Sequence, residues 1–300
     1  MQDDAYETLN DNINLVVETG GTQNWYMPQL GQTDNCRFTI TPNGIDNYES
    51  ISNRNMGDKD SLADFINYGL LSYPAEHYCL LFWDHGNGPI IGFGNDQLYK
   101  NDSLTLSEMS QSLQLSEMDD QQFELIGFDA CMMGNFETAY VLSDYANYMV
   151  GSCDLEPLQG WDYHFLSTFQ DSTVEGDIVG QMIADSYMKS YSNENCPLTM
   201  SVLDLDSIKK LADVLQEQLD LLQATWNSNM SYQSLSKDRT ISENYGIASF
   251  NSSLSDIVDF RLIMDWLLYY MRFLIRGYEV LDSTHVHYLV LRGYLVPLRD

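Results

Sequence analysis

Apolar and polar positions along this chain alternate in two rhythms, and the rhythms take turns. Asn12-Ile13-Asn14-Leu15-Val16-Val17-Glu18-Thr19 reads as a strand closed by the turn pair Gly20-Gly21. Arg37-Phe38-Thr39-Ile40 alternates like a short strand and stops at the turn signal Thr41-Pro42-Asn43-Gly44. A helical rhythm follows, with Asp60-Ser61 as its cap, Leu62, Phe65, Ile66 and Leu70 as its apolar face, and Pro74 as its end. Residues 78–83 are then apolar without a break, residues 91–103 read as an irregular polar loop, and Thr105 or Ser107 opens a helix carrying Leu106, Met109, Leu113 and Met118. The alternation continues with an extended run over 123–128, a helix over 134–147, a strand over 148–152, a helix over 174–191 and a strand over 198–205. Asp206 stands where it can cap a long helix reaching about residue 226.

Strands alternating with helices imply a mostly parallel sheet covered on both faces, with right-handed crossovers. Beyond that point the texture changes. Residues 227–244 are polar, 245–250 form a short apolar run, 257–275 read as an apolar-rich helix with Phe260, Ile263, Met264, Leu267 and Leu268, and 285–296 alternate weakly. A boundary near residue 205 therefore divides a main α/β domain, 1–205, from a smaller helical or mixed C-terminal subdomain, 206–300.

Two stretches are alike. Cys79-Leu80-Leu81-Phe82-Trp83 runs into the polar elbow Asp84-His85-Gly86-Asn87-Gly88, and Leu125-Ile126-Gly127-Phe128 runs into Asp129-Ala130-Cys131-Met132-Met133-Gly134. A buried parallel strand reads as a continuous apolar run, and open α/β sheets bind ligands at the carboxyl ends of their strands. Strand ends at Glu18, Asp84, Asp129 and Ser152 should gather at that edge. One strand brings it a histidine, another a cysteine, and the 46 residues between them span one strand–helix–strand unit.

Charge and cysteine content narrow the chemistry. The chain of 300 residues carries 44 acidic and 14 basic side chains, a formal net charge of −30. Nucleic acid and anionic membranes are therefore poor partners, and cationic peptides are attracted. The most apolar stretch, near 263–275, is interrupted by Asp265 and Arg272, so no membrane span is expected, and Met1-Gln2-Asp3-Asp4 does not open a signal peptide. Cys36, Cys79, Cys131, Cys153 and Cys196 are odd in number and lack CxxC spacing, which speaks against a disulfide framework or a zinc site. No histidine pair has the spacing of a metal motif, and no cofactor is expected.

A thiol attacks an acyl carbon as the thiolate, and an adjacent histidine raises the thiolate fraction. His85 and Cys131 fit that pair. Gly86 can bring a backbone N–H close to a developing oxyanion, and the Cys131 N–H and the following helix can add positive potential. Asp129, two residues before Cys131, shares its direction along a strand and can line a pocket for Arg or Lys; a helix cap or a structural hydrogen bond is its bland alternative. His77, His164, His285 and His287 read as ordinary.

At this point the residues resemble the clostripain-type cysteine peptidases. The likeness lies in residues 14–25 with their Gly-Gly turn, Asn55-Met56-Gly57-Asp58, Tyr73-Pro74-Ala75, Trp83-Asp84-His85-Gly86-Asn87-Gly88, Phe128-Asp129-Ala130-Cys131-Met132-Met133, Glu137-Thr138-Ala139-Tyr140, Asp144-Tyr145-Ala146 and Gly160-Trp161-Asp162-Tyr163. It covers most of residues 12–205, with a weaker echo at Ser255-Asp256-Ile257-Val258-Asp259-Phe260. It implies a caspase-like α/β/α sandwich and an endopeptidase cutting after Arg or Lys, with His85 as base and acid and Cys131 as nucleophile. It also suggests Asp129, with Asp154 and Asp162, on the substrate side, and a secreted bacterial enzyme activated by cutting within the chain. Lys100, in the polar loop after His85, is the candidate cut. Some members respond to calcium, for which no D-x-[DN]-x-[DN]-G loop is present here. The runner-up reading is a catalytically impaired domain of the same fold that holds basic peptides in an acidic cleft. Three departures stand out. The family usually begins with a further strand and helix that residues 1–11 are too short to supply, so the sheet is expected to lack a strand. Ser152-Cys153-Asp154 replaces an acidic Ser-Glu-Glu, and Leu158-Gln159-Gly160 lacks the first of two usual glycines.

Overall fold

A computed structural model describes residues 9, 12–25, 33–118, 121–170, 175–192, 198–225, 244–245 and 257–258. Three strands at the start form an antiparallel sheet in the order β1 (Leu15–Thr19), β2 (Asn35–Thr41), β3 (Gly44–Ile51). Pro42, Asn43 and Gly44 close the β2–β3 hairpin, as turn chemistry demands. The sequence pattern misses β3: Asp46, Asn47, Tyr48, Glu49 and Ser50 face solvent, so no apolar alternation marks it. Arg37 is buried in β2 and survives there because Nε reaches Glu18 at 2.6 Å and Nη2 reaches Asp64 at 2.5 Å, with the guanidinium 4.7 Å from the Tyr68 ring centre.

The main sheet has the order β4 (Cys79–Trp83), β7 (Phe123–Asp129), β8 (Ala146–Gly151), β9 (Ser201–Asp204). β4, β7 and β8 run parallel, and β9 closes the far edge antiparallel. The expectation of a mostly parallel sheet holds for this core. One part of it fails: β1 joins β2 rather than the main sheet, so Glu18 is an ion-pair partner of Arg37 and not a group at the main sheet's carboxyl edge.

Side chains alternate across β7 and β8, and the two faces bury different cores. Leu125 and Val150 point toward Val179, Ile183 and Tyr187 of α5 (Gly176–Ser190) and toward Trp161 and Phe165. Ile126, Phe128 and Met149 point toward Ile66 of α1 (Lys59–Ser72), Met109 and Leu113 of α3 (Leu106–Leu115), Ala139 and Leu142 of α4 (Phe136–Leu142), and Leu205 and Ile208 of α6 (Leu205–Thr225). Helices thus cover both faces in an α/β/α sandwich. Phe82 and Phe128 stack across β4 and β7 at 4.9 Å and 7°. The first turns of α6, which begins at the expected domain boundary, are buried in this same core.

Caps fall one or two residues from their expected places. The Asp58 side chain, not Asp60 or Ser61, accepts the Asp60 N–H and starts α1. Asp204 rather than Asp206 accepts the Asp206 and Ser207 amides ahead of α6. Thr105 starts α3 in a capping box with Glu108. The expected loop over 91–103 is ordered. A single turn, α2 (Gly88–Ile91), leads into a hairpin of β5 (Phe93–Asp96) and β6 (Asp102–Leu104) around the 3₁₀ turn Gln97–Tyr99. Its polar residues are spent on the turn: Asp96 accepts the Leu98 and Tyr99 amides at 2.8 and 3.1 Å. Ile257–Val258, where the sequence pattern begins a helix, is strand β11 and pairs with β10 (Asn244–Tyr245). The readings of 227–243 and of 259–300 lie outside the described residues. No described helix is long and apolar enough to cross a membrane.

Candidate active site

The carboxyl ends of β4, β7 and β8 carry the candidate residues. β4 and β7 pair in register, with Trp83 opposite Asp129. His85 and Cys131 each follow that last pair by two residues. The two elbows touch through their backbones. A Cβ on Gly86 would run into the carbonyl oxygen of Cys131, so only glycine allows this approach.

His85 is exposed, and its elbow is braced by Asp84, whose Oδ1 accepts the His85 N–H at 2.7 Å while Oδ2 accepts the Asn95 N–H at 3.3 Å. Gly86 pairs with Phe93 in the open manner: Asn87 N–H bonds Gly92 O at 2.9 Å and Gly94 N–H bonds His85 O at 2.8 Å. The Gly86 N–H itself lies outside that ladder, in keeping with the oxyanion role expected for it.

Cys131 is half-buried. Its Sγ accepts the Glu156 N–H at 3.2 Å, and no hydrogen bond joins it to the His85 ring among the described residues. Burial raises the thiol above the ordinary cysteine range. The Glu156 N–H opposes that rise, and the carboxyl groups of Glu156 and Asp154 reinforce it. The resting group is therefore a thiol that needs a base. Met132, next in the chain, holds a left-handed φ of 59° and donates its N–H to Asp154 O at 3.0 Å. A non-glycine residue there marks a sharp, strained turn of the kind found where a side chain is presented for function. The helix expected to start at Gly134 starts instead at Phe136, capped by Asn135, whose side chain accepts the Thr138 N–H at 2.8 Å. Four residues separate Cys131 from α4, a seven-residue helix, so this helix does not begin at the thiol.

Asp129 lies beneath the site and is only 5% exposed. The Trp161 N–H reaches both its oxygens at 3.2 Å, and the Tyr163 hydroxyl donates to Oδ2 at 2.8 Å. Gly160, at φ 69°, supplies the turn that delivers them, and a Cβ there would stand 2.6 Å from Asp129 Oδ1. Burial raises the Asp129 carboxyl above its ordinary range, against the pull of those donors.

Sequence reasoning missed the partner of that group, Glu156. Both its carboxyl oxygens are buried without a well-formed hydrogen bond, and the nearby Trp161 indole N–H is in the same position. Burial first, then the neighbouring Asp129 carboxylate, pushes Glu156 up to about 10. The Asp129–Glu156 pair thus holds one proton at neutral pH. Its only sequence signal is a lone acid between Leu155 and Pro157 in a segment that must pass close to Cys131.

The other candidates are placed apart from this pair. Asp154 is half-buried, accepts the Leu155 N–H at 2.7 Å, and receives Ser152 and Thr199 hydroxyl oxygens on its own N–H. Asp162 binds the His164 ring at 2.6 Å; burial raises its carboxyl, and the His164 N–H and ring outweigh that and lower it. His164, read as ordinary, is thus the partner of a candidate residue. Lys100 is exposed at the tip of the β5–β6 hairpin, where it and Asn101 have left-handed φ values of 62° and 60°. No group of three or more potential metal-ligating side chains stands together among the described residues. Cys36, Cys79 and Cys131 are free thiols.

The chain is similar to known proteins in sequence and in fold. Residues 1–265 match the sequence profile of the clostripain family. Clostripain of Hathewaya histolytica is 35% identical over 99 residues, which is 29% of this chain and 18% of that protein, so the match spans less than a fifth of the relative's length. A secreted cysteine protease from Bacteroides thetaiotaomicron, solved in complex with an irreversible peptide inhibitor, is similar with a TM-score of 0.59 at 18% identity, over 78% of this chain and 74% of that one. An inactive zymogen protease from Parabacteroides distasonis is similar with a TM-score of 0.59 at 20% identity, over 83% of this chain and 66% of that one. At such identities the likeness is one of fold, the caspase-like α/β sandwich.

Proposed function

The chain belongs to the clostripain family, and on that premise we propose that it is a cysteine endopeptidase cutting peptide bonds after Arg or Lys. One observation supports the reading above others: His85 and Cys131 each follow by two residues the last paired positions, Trp83 and Asp129, of two neighbouring parallel strands.

In the proposed reaction the His85 ring takes the proton from Cys131 Sγ, and the thiolate attacks the scissile carbonyl carbon. The carbonyl oxygen becomes an oxyanion and accepts the Gly86 N–H, which the resting structure leaves outside the ladder. His85 returns its proton to the leaving amine as the C–N bond breaks, and a thioester remains. Water then gives a proton to His85, adds to the thioester carbon and releases the acid, and the thiol is restored. The raised thiol makes this base essential, because little thiolate forms unaided.

Preference for a basic side chain follows from the acidic groups on the Cys131 side. Asp129 and Glu156 are buried beneath the thiol, and Asp154 and Asp162 stand on the neighbouring segment. The likeness of fold to a secreted cysteine protease supports action on extracellular peptides or proteins. A second reading, a binding domain without turnover, is favoured by the missing His85–Cys131 hydrogen bond and the raised thiol. Replacing Cys131 by Ala separates the two. In the peptidase, the wild type releases product from an Arg-linked reporter peptide and Cys131→Ala does not. Equal release by both would overturn the nucleophile assignment, and reporter binding without release by either would favour the binding domain.

A further inference from the structure

The segment that leaves β8 grips the Cys131 elbow with its main chain. Ser152 O accepts the Gly134 N–H at 2.7 Å, Asp154 O accepts the Met132 N–H at 3.0 Å, and the Glu156 N–H reaches Cys131 Sγ itself at 3.2 Å. The first two bonds fix the elbow. The third touches the atom that has to carry charge, and an N–H donor favours a thiolate over a thiol. The place of that N–H therefore governs how readily Cys131 ionises.

A pair of hydroxyls fixes the segment. The β8–β9 ladder ends at Gly151 and Ser201. Beyond it the Thr199 side chain takes over as partner of the outgoing chain: its Oγ1 accepts the Cys153 N–H at 3.2 Å and the Asp154 N–H at 3.1 Å. Ser152 is fully buried, and its Oγ lies 2.8 Å from the same oxygen. A hydroxyl has one proton and two lone pairs. Ser152 gives its proton to Asp154 O at 3.0 Å, so Thr199 donates to Ser152. Thr199 is then saturated, with one bond given and two received. Ser152 Oγ also accepts the Asp154 N–H at 3.1 Å, so the hydroxyl pair holds Asp154 by both its N–H and its C=O. The Leu155 N–H goes to Asp154 Oδ1 at 2.7 Å. Four successive N–H groups, from Cys153 to Glu156, thus end on side chains, and the last of those side chains is the thiol.

We propose that Thr199 is a positioning residue for the nucleophile: with Ser152 it fixes Asp154, and so holds the Glu156 N–H on Cys131 Sγ. The inference rests on Cys131 as nucleophile of the proposed reaction. Thr199 carries no charge. Replacing it keeps the ionisable groups around the thiol, which are His85 on the adjoining elbow, Asp129 on the same strand, and Asp154 and Glu156 on the segment. A changed ionisation of Cys131 therefore reports a displaced N–H.

The test is the pH profile of Cys131 alkylation by iodoacetamide in the full 300-residue chain, read by peptide mapping from pH 6 to 10.5. Thr199→Val keeps the shape and removes the hydroxyl. Its profile should move up by about one pH unit, the effect of one hydrogen bond to a charged group, so that labelling at pH 7 slows about tenfold. Thr199→Ser keeps the hydroxyl and should keep the wild-type profile. An unmoved or lowered profile in Thr199→Val, or a Thr199→Ser profile displaced like it, overturns the proposal. If Thr199→Val does not fold, Ser152→Ala removes the next link and should move the profile the same way. An unmoved profile there, or loss of the fold in both variants, also overturns it, since the hydroxyls would then hold the fold and not the thiol. Labelling needs no turnover. Failure of this inference therefore shows in the profiles, whereas failure of the peptidase reading shows as a wild type that releases nothing from the Arg-linked reporter.

Discussion

Replacing Glu156 by Gln should flatten the pH dependence of stability. In the folded chain Glu156 is held up to about 10, against 4.5 for the free side chain, by burial and by Asp129. Below pH 4.5 both folded and unfolded chains bind the proton, and the full stability is present. Between 4.5 and about 10 the folded chain keeps the proton that the unfolded chain releases, so stability falls as pH rises. One retained proton corresponds to about 1.4 kcal/mol per pH unit. For a chain of this size that is about 3–6 °C in Tm per pH unit. Gln cannot ionise and can donate to the Asp129 carboxylate, and the backbone N–H that bonds Cys131 Sγ is unchanged. Thermal unfolding of wild type and Glu156→Gln at pH 6, 7, 8 and 9 measures the difference between the two slopes. The wild type should lose Tm faster by that amount, and the variant should be the more stable protein at pH 8. Parallel slopes would show that Glu156 ionises normally in the fold, and the shared-proton description of the Asp129 pair would be wrong.

Three further outcomes follow from other parts of the structure. Iodoacetamide at pH 8 should label Cys131 far faster than Cys79, because burial pushes Cys79 up to about 12 and little of it is thiolate; peptide mapping reads the ratio, and equal rates contradict it. Gly160→Ala should cost at least about 1–2 kcal/mol for the left-handed backbone alone, with more from the Cβ placed 2.6 Å from Asp129 Oδ1, as a denaturant midpoint measures. Cutting after Lys100 requires the β5–β6 hairpin to open, since Asn101 N–H bonds Asp96 O at 2.7 Å across a left-handed turn. Mass spectrometry of stored wild type should therefore find a slow break there that Cys131→Ala lacks, and a wild type that is fully active while intact sinks the assignment.

The elbows were legible because a continuous apolar run ending in small polar residues has few other meanings. That β4 and β7 are neighbours was legible too, since 46 residues between the elbows span one crossover. What escaped has a common cause. β3 buries no residue fully, and the β5–β6 hairpin is held by its turn and backbone pairing, so their polar residues imitate a loop. β1 reads like its neighbours in the chain, yet pairs only with β2, because strand order depends on contacts that periodicity does not encode. Glu156 escaped for another reason. Its importance comes from Asp129, 27 positions away, and a buried acid looks like any other acid until its surroundings are known. Asp129 was readable as an acid at a strand end, while the Trp161 and Tyr163 donors that occupy it were not.

Three of the contacts that align the site are between main chains. Gly86 lies on the Cys131 carbonyl, Met132 N–H on Asp154 O, and Gly134 N–H on Ser152 O at 2.7 Å. Such a frame is indifferent to most of the letters written on it. Side chains on the third strand and its loop, Ser152 apart, could be exchanged wholesale to suit another substrate, by drift or by design, and the histidine and the thiol would keep their spacing. The same frame makes Gly86 unforgiving: a single methyl there would pry both elbows apart together, in a way that no change of pH or substrate would remedy.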